Sequence, residues 1–239
     1  MLQLLGCNHR ATETSLREQL AVPAARLPEA LRLYRDRFPK SEAVLLSTCN
    51  RTELYTAAAV EAHLPSGADL ADFLAELNGL RGSHILEQLM HTTGESAVRH
   101  LFTVAASLDS MVVGETQILG QVKQAYQVAS SVANTGTLTH AAFQSAIRVA
   151  KRISRETSLH DRRVSVANVA VRELARQVFE RFDDKQILVI GAGETAKDAL
   201  RCLCDEGGRK FTVVNRNLER ATQLARLFGG TACGLDQLD

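Results

Sequence analysis

A cysteine beside an arginine marks the segment whose residue types are best suited to covalent chemistry. The segment Ser47–Glu53 reads Ser-Thr-Cys-Asn-Arg-Thr-Glu and follows an apolar run. A thiolate is the reactive form of cysteine, and a neighbouring cation such as Arg51 favours it. The neighbouring hydroxyl, amide and guanidinium groups can hydrogen-bond a carboxylate or an amine. The segment therefore predicts a nucleophile at Cys49, and the alternative is a buried cysteine at the end of a strand.

A second segment, Gly-Ala-Gly-Glu-Thr-Ala, matches the pattern G-x-G-x-x-A. It follows the apolar run Gln186–Ile190, interpreted as a buried strand, and opens a helical stretch, which is the context of a dinucleotide-binding turn. The first glycine allows the tight turn, the second allows a pyrophosphate to approach the backbone, and the alanine allows close helix–sheet packing. The alternative is a glycine-rich turn without a ligand. The predicted cofactor-binding residues here are Gly191, Ala192, Gly193, Glu194, Thr195 and Ala196.

The residues after the next apolar run, Phe211–Val214, distinguish the two nicotinamide cofactors. NAD sites carry Asp or Glu at this point, whereas NADP sites carry an Arg nearby. This chain has Asn215 and Arg216 and no acid before Glu219. Because an Arg fork pairs with a phosphate bidentately, the sequence favours NADPH, and the alternative for Arg216 is a surface arginine. A thiol nucleophile combined with a hydride donor is suited to reducing an acyl group through a thioester.

The predicted secondary-structure elements that position these residues divide the chain into two parts, with a boundary near His160–Arg163. In the first, apolar runs predict strands at Leu2–Cys7, Ala43–Ser47 and Leu54–Ala59, with the polar segment Thr48–Glu53 between the last two. Helical periodicity predicts helices over Ala24–Arg37, Ala68–Leu77, Glu95–Ala106, Gln117–Val132, Leu138–Thr157 and Val164–Phe182.

The second part of the sequence alternates strands and helices with short connections, which is typical of a doubly wound parallel sheet. Its predicted elements are strands at Gln186–Ile190, Phe211–Val214 and Thr231–Cys233 and helices over Ala196–Cys204 and Leu218–Phe228. The predicted fold class is α/β, with an α+β catalytic domain over residues 1–160 and a partial Rossmann domain over residues 161–239. Since a dinucleotide fold needs two such halves, we expect a fragment or a truncated form.

Composition excludes several classes of protein. The chain has 239 residues, 45% of them hydrophobic and 23% charged, which excludes wholesale disorder. A net charge of +1 excludes binding to nucleic acid by bulk charge, but not by a local basic face. No apolar run approaches the roughly 20 residues of a membrane span. Five scattered cysteines predict neither a disulfide framework nor a metal site, and they favour a reducing cytoplasm.

Longer stretches make the sequence resemble the glutamyl-tRNA reductases. They are Ser47–Glu53, His100–Phe102 and Ser107–Lys123, and the glycine-rich loop agrees. The resemblance runs from Asn8 to Gly230. It implies a family that makes glutamate-1-semialdehyde from glutamyl-tRNA(Glu) and NADPH, the first committed step of tetrapyrrole synthesis by the five-carbon route. It also implies glutamate-1-semialdehyde aminomutase as a candidate partner.

The resemblance assigns roles to individual residues. Cys49 becomes the nucleophile that takes the glutamyl group from the tRNA, and His100 either donates a proton to the departing ribose oxygen or orients the pocket. Arg51 can bind the γ-carboxylate of the substrate, and Glu115 can pair with its ammonium group. Gln117 and Gln121 are at i and i+4, so they share a helix face. The implied substrate-binding residues are Thr48, Asn50, Arg51, Ser110, Glu115, Thr116, Gln117 and Gln121.

The sequence departs from the family pattern in three places. Thr116 replaces a common proline, and Asn8–Thr12 matches the family's opening pattern only in part, so His9 receives no role. The family's dimerisation domain is missing, so the chain is expected to be monomeric. A truncated, non-reducing form that binds or deacylates glutamyl-tRNA is the alternative function. A shikimate-type dehydrogenase would share the nucleotide loop but would have no use for Cys49.

For the tRNA, the densest basic cluster comprises Arg148, Lys151, Arg152, Arg155, Arg162 and Arg163. Phosphate contacts of this kind carry most nucleic-acid affinity. The alternative interpretation is a solvated helix face.

Overall fold

A computed structural model describes residues 1–81, 85–111, 113–115, 117–157, 159 and 166–238 of the chain. The chain divides into two compact units, Met1–Arg162 and Arg163–Asp239. No helix within the described residues is long and apolar enough to cross a membrane.

The first unit is built on an antiparallel sheet of order β2-β3-β1-β4. Every residue of the two central strands, β1 and β3, is buried, so both faces of the sheet centre are covered. The register pairs Asn8 with Arg51 and Ser47 with Thr52. The strands are β1 Leu2–Asn8, β2 Glu42–Ser47, β3 Arg51–Ala57 and β4 Met90–Thr93.

Within the described part of the first unit, six helices pack against this sheet. They are α1 Thr14–Leu20, α2 Leu27–Arg37, α3 Gly67–Glu76, α4 Gly94–Ala105, α5 Gln117–Ser131 and α6 Thr137–Glu156. Helix α4 packs on β1, while α2 and α5 pack on β2. One apolar core joins these helices to the sheet, and burial of their apolar faces drives the packing.

The sequence prediction was wrong at the start of β3. It placed Arg51–Glu53 in the polar connection between the two strands. In the structure these are the first three residues of β3, and the connection is residues 48–50. The error arises because a charged side chain predicts exposure, yet it can be buried where partners neutralise it. Helix α1 and strand β4 were not predicted at all. Both are short, and β4 alternates exposed and half-buried residues without an apolar signal.

The second unit contains a parallel sheet of order β5-β6-β7, which confirms the predicted fold class. Its strands are β5 Gln186–Ile190, β6 Lys210–Val214 and β7 Thr231–Cys233, and its crossing helices are α9 Glu194–Asp205 and α10 Leu218–Leu227. The predicted helix Val164–Phe182 is divided into α7 Val166–Val169, a π-helical turn Ala170–Ala175 and α8 Arg176–Val178. Residues 164 and 165 lie outside the described residues.

Strand β5 is less buried than its continuous apolar sequence predicted. Ile187 and Val189 pack against the core of the second unit. Leu188 and Ile190, on the opposite face, are 50% and 67% exposed. The interpretation of this run as a buried strand was therefore wrong, because an apolar run specifies the strand without specifying what covers each face.

Candidate active site

Cys49 lies at the tip of the hairpin that joins β2 to β3. Thr48 and Arg51 flank the tip, and the Thr48 N–H donates to the Arg51 carbonyl oxygen at 2.8 Å. Thr48 Oγ1 accepts hydrogen bonds from the backbone N–H groups of Asn50 and Arg51, each at 3.2 Å. Cys49 itself is exposed. The turn is thus closed by its own hydrogen bonds and presents the thiol outward.

An arginine from α1 ties this turn to the segment that follows β1. Arg17 Nη1 donates to the Cys49 carbonyl oxygen at 3.3 Å. Its Nε donates to the Thr12 carbonyl oxygen at 3.2 Å, and its Nη2 donates to Thr14 Oγ1 at 2.8 Å. One guanidinium therefore links both segments beside the thiol and adds positive charge there.

Arg51 anchors a buried network of charges directly behind the turn. Its side chain is 1% exposed. Nη1 donates to Glu53 Oε1 at 2.7 Å and to Asp109 Oδ2 at 3.2 Å. Nη2 contacts both the backbone carbonyl oxygen and the carboxylate of Asp109. Arg10 adds an exposed partner, with its Nε 3.1 Å from Asp109 Oδ1.

Glu53 extends the network to His100 on α4. His100 Nε2 lies 2.9 Å from Glu53 Oε1, and the Tyr55 hydroxyl donates to Glu53 Oε2 at 2.7 Å. Burial by itself raises the pKa of Glu53, but the hydrogen bond from His100 and the charge of Arg51 outweigh it and lower that pKa. The carboxylate is therefore ionised at neutral pH. Burial and the charge of Glu53 raise the pKa of Tyr55 well above its usual value, which keeps its hydroxyl a donor.

The loop after α4 brings Asp109 and Ser110 to this network. It begins at Ser107, whose φ of 62° is unusual for a residue with a side chain. The Ser107 carbonyl oxygen accepts from the Gly114 N–H at 3.0 Å, and Ser107 Oγ donates to the Glu115 carbonyl oxygen at 2.7 Å. Ser107 Oγ also contacts the buried Ser110 Oγ at 3.4 Å. These bonds draw the two ends of the loop together.

Other predicted substrate residues lie on or next to α5. Gln117 and Gln121 are half-buried one turn apart, and Gln121 makes no side-chain hydrogen bond within the described residues. Thr116 lies outside the described residues. Glu115 is half-buried at the end of the loop. The structure thus links Ser110 and Glu115 through Ser107, whereas Gln121 stands apart from that set of bonds.

The predicted basic cluster lies on α6 as far as it is described. Arg148, Lys151, Arg152 and Arg155 are exposed there. Arg152 pairs with Glu156 at 2.9 Å, so part of its charge is compensated. Arg162 and Arg163 lie outside the described residues.

The glycine-rich loop of the second unit connects β5 to α9. Gly191 has a φ of +111°, a conformation that favours glycine, and its N–H donates to the Val214 carbonyl oxygen at 2.7 Å. A Cβ built on Gly191 or Gly193 would meet nothing within 4 Å. Within the described residues no side chain caps the N-terminus of α9. The loop therefore leaves open space beside an uncapped helix end, which suits an anionic group.

Asn215 and Arg216 follow β6 at the neighbouring strand end. Asn215 Nδ2 donates to the Asn217 carbonyl oxygen at 3.0 Å. Arg216 is exposed, and Asn217 caps α10 by accepting from the Arg220 N–H at 3.0 Å. No group of His, Cys, Asp and Glu side chains in the described part of the chain could hold a metal ion.

Comparison with known proteins shows the family of the chain. Residues 5–157 match the family model described as the N-terminal domain of glutamyl-tRNA(Glu) reductase, which is more than half of the chain. The chain belongs to the glutamyl-tRNA reductase family. Residues 173–239 match a second model, that of shikimate/quinate 5-dehydrogenase, in the segment that contains the glycine-rich loop.

Individual glutamyl-tRNA reductases are similar along the whole chain. The protein of Rhodopirellula baltica is 45% identical and that of Rubrobacter xylanophilus 44%, and the matches cover 99% and 100% of this chain. A solved glutamyl-tRNA reductase from Methanopyrus kandleri is 37% identical, with a TM-score of 0.62 over 99% of this chain. The chain spans about half the length of these relatives, between 54% and 55%.

Two carboxylates of the buried network were not among the predicted site residues of this glutamyl-tRNA reductase homologue. They are Glu53 and Asp109, which fix Arg51 from both sides. Glu53 could have been found from the pattern Arg-Thr-Glu-Leu-Tyr, since residues i, i+2 and i+4 of a strand share one face. For Asp109 the sequence held no comparable signal, because its contact depends on the fold.

Proposed function

We propose that this protein transfers the glutamyl group of glutamyl-tRNA(Glu) to Cys49 and reduces the thioester to glutamate-1-semialdehyde with NADPH. The single observation that carries the proposal is the exposed Cys49 at a hydrogen-bonded hairpin tip next to a buried charge network. Within the family, this reaction would be the first step of tetrapyrrole biosynthesis. NADPH would supply the hydride when bound.

The first chemical step is acyl transfer. The Cys49 sulfur attacks the ester carbonyl carbon, an S–C bond forms, the bond from that carbon to the ribose oxygen breaks, and the thiol proton goes to that oxygen. Arg51 is fixed by Glu53 and Asp109 before substrate arrives, so its charge needs no reorganisation during the step. His100, held by Glu53, would then orient the pocket.

Substrate binding would use the charges around the turn. Arg17, bonded to the Cys49 carbonyl oxygen, and Arg10, paired with Asp109, are cationic groups that suit the phosphates at the acceptor end of a tRNA. The remaining predicted residues, Thr48, Asn50, Ser110, Glu115, Thr116, Gln117 and Gln121, belong to this proposal as substrate contacts. The exposed basic residues of α6 would contact tRNA phosphates farther from the acceptor end.

The second unit fits the cofactor. The open space at Gly191 and Gly193 accommodates a pyrophosphate, and the uncapped N-terminus of α9 offers N–H donors to it. The exposed Arg216 suits the 2′-phosphate that distinguishes NADPH from NADH. Glu194, Thr195 and Ala196 form the first turn of that helix and would contact the nucleotide through the backbone.

The proposal extends to location and partner. All five cysteines are free, which agrees with a reducing, cytoplasmic location. The aldehyde product is reactive, so an aminomutase that consumes it is the natural partner.

The test is release of glutamate from glutamyl-tRNA by the 239-residue protein, compared between Cys49→Ala and Cys204→Ala. Cys204 is half-buried on α9 and is a matched control. We expect Cys49→Ala to abolish protein-dependent cleavage of the ester and Cys204→Ala to retain it. Equal cleavage by both variants would overturn the assignment of the nucleophile.

A further inference from the structure

A histidine outside the predicted site residues lies beside the Cys49 turn. His9 directly follows β1, whose last residue, Asn8, pairs with Arg51 at the start of β3. Asn8 Oδ1 accepts hydrogen bonds from the backbone N–H groups of Arg10 and Ala11 at 3.0 and 3.1 Å. This side-chain bonding folds the chain back around His9. His9 therefore lies one residue beyond the last pair of the β1–β3 ladder, at the end of the hairpin whose tip is Cys49.

The bonds of Arg17 also connect the segment after β1 to the Cys49 turn. They join the Thr12 carbonyl oxygen, in the His9 segment, to the Cys49 carbonyl oxygen. The backbone that follows His9 and the backbone of the nucleophile are thus both bonded to one guanidinium.

One ring nitrogen of His9 has no partner. His9 Nδ1 is buried and makes no hydrogen bond within the described residues. Buried polar atoms without a partner are rare in proteins, and each one needs an explanation. His100 differs, because its Nε2 is engaged by Glu53. Of these two imidazoles, His9 is the one with an unpartnered buried nitrogen.

The surroundings of His9 favour a neutral imidazole. Burial lowers its pKa, and the charge of Arg51 on β3 lowers it further. Arg10 in the same turn and Arg17 on α1 act in the same direction, whereas Asp109 opposes them. A neutral ring at neutral pH has a free lone pair and can accept a proton.

We propose that His9 is the base that takes the thiol proton of Cys49 during acyl transfer and returns it to the departing ribose oxygen. The S–H bond breaks as the S–C bond forms, the imidazole holds the proton, and the proton moves to the oxygen as the ester C–O bond breaks. No oxidant or reductant takes part. The inference rests on the proposed function, since it needs glutamyl transfer to Cys49.

The test is the rate of Cys49 acylation by glutamyl-tRNA in single-turnover experiments from pH 5.5 to 8. The variant is His9→Asn, which keeps a polar group near the Nδ1 position but cannot take up a proton. The control is His63→Asn, since His63 is an exposed histidine of the first unit. We expect His9→Asn to slow acylation by about 100-fold or more, in the range of general base catalysis, and His63→Asn to match the wild type.

The pH profile provides a readout that a merely structural role would not move. Because the pKa of His9 lies below the ordinary histidine value of about 6.5, the wild-type rate should fall on acidification only below that value, as the base becomes protonated. In His9→Asn that inflection should vanish. If His9→Asn does not fold, as judged by circular dichroism, the wild-type profile and His9→Gln decide the question.

The outcomes separate the two proposals. An acylated wild type with an unaffected His9→Asn, or a pH profile that is the same in the wild type and in His9→Asn, overturns the role of His9 and leaves the proposed function standing. A wild type that never becomes acylated contradicts the proposed function and the role of His9 with it.

Discussion

The Cys49 site and the glycine-rich loop differ in whether their charged and polar groups are paired within the chain. Behind Cys49, Arg51 and Glu53 are buried and paired with other residues of the chain. At the loop, Arg216 is exposed and the glycines border open space. The first site has its electrostatics fixed before any ligand arrives, which would suit the proposed acyl transfer. The second leaves its donors free for a large anionic ligand.

Two helix N-termini repeat this contrast. At α6, the Glu42 carboxylate accepts from the backbone N–H groups of Gly136 and Thr139 at 3.0 and 2.7 Å, and from Thr139 Oγ1 at 2.6 Å. At α9, no side chain among the described residues takes that place. The same positive helix end is thus neutralised internally in one unit and available to a ligand in the other.

The largest expected effect comes from breaking the buried network. Glu53→Gln leaves part of the Arg51 charge uncompensated in the interior and should reduce the free energy of unfolding by about 3 kcal/mol. Urea unfolding followed by tyrosine fluorescence measures it, because all three tyrosines lie in the first unit. Glu76→Gln removes the partner of Arg37 in an exposed pair and should cost less than about 1 kcal/mol. An equal decrease in the free energy of unfolding in both variants would contradict the distinction between the buried and the exposed ion pair.

The pH dependence of stability should sharpen the same point. The pKa of Glu53 is lower in the folded protein than the value of about 4.3 expected when unfolded. Its ionised form therefore stabilises the fold above about pH 4.3, and this contribution is lost as the pH falls through the folded pKa. Unfolding measured between pH 5 and 3 should show a shallower decline for Glu53→Gln than for wild type. Parallel curves would show that Glu53 is not the group responsible.

A smaller loss is expected at the capped helix. Glu42→Ala exposes the first-turn N–H groups of α6 and should cost about 1–2 kcal/mol, the usual value of a helix cap. Glu29→Ala changes an exposed acid in the first turn of α2 and serves as the control. The same tyrosine-detected unfolding compares the two, and a loss at Glu42 no greater than at Glu29 would remove the contrast between α6 and α9.

The smallest expected effect concerns the nucleotide. Arg216→Ala removes one charge-assisted contact to a 2′-phosphate and should weaken NADPH binding about tenfold, equivalent to roughly 1.4 kcal/mol, while leaving NADH unchanged. Arg220→Ala, an exposed arginine on α10, is the matched control. Calorimetric titration with both nucleotides measures the preference. Tighter binding of NADH by the wild type would reverse the assignment.

The sequence predicted those parts of the molecule that depend on local pattern. The parallel strands Gln186–Ile190 and Thr231–Cys233 form as expected, and most helices begin and end within two residues of their predicted bounds. The buried network could not be predicted from the sequence, because its members come together only in the fold. His100 lies 47 residues from Glu53, and Asp109 lies 58 residues from Arg51. The exposure of Leu188 and Ile190 is likewise a tertiary property that an apolar run does not encode.

The most direct measurement of the central claim is the position of the acyl group. The protein is mixed with labelled glutamyl-tRNA without NADPH, quenched in acid, digested and mapped by mass spectrometry. We predict a glutamyl thioester on Cys49 in the wild type and its loss in Cys49→Ser. A label on Cys204 or Cys233, or a wild type that hydrolyses the ester without forming an adduct on Cys49, would contradict the account.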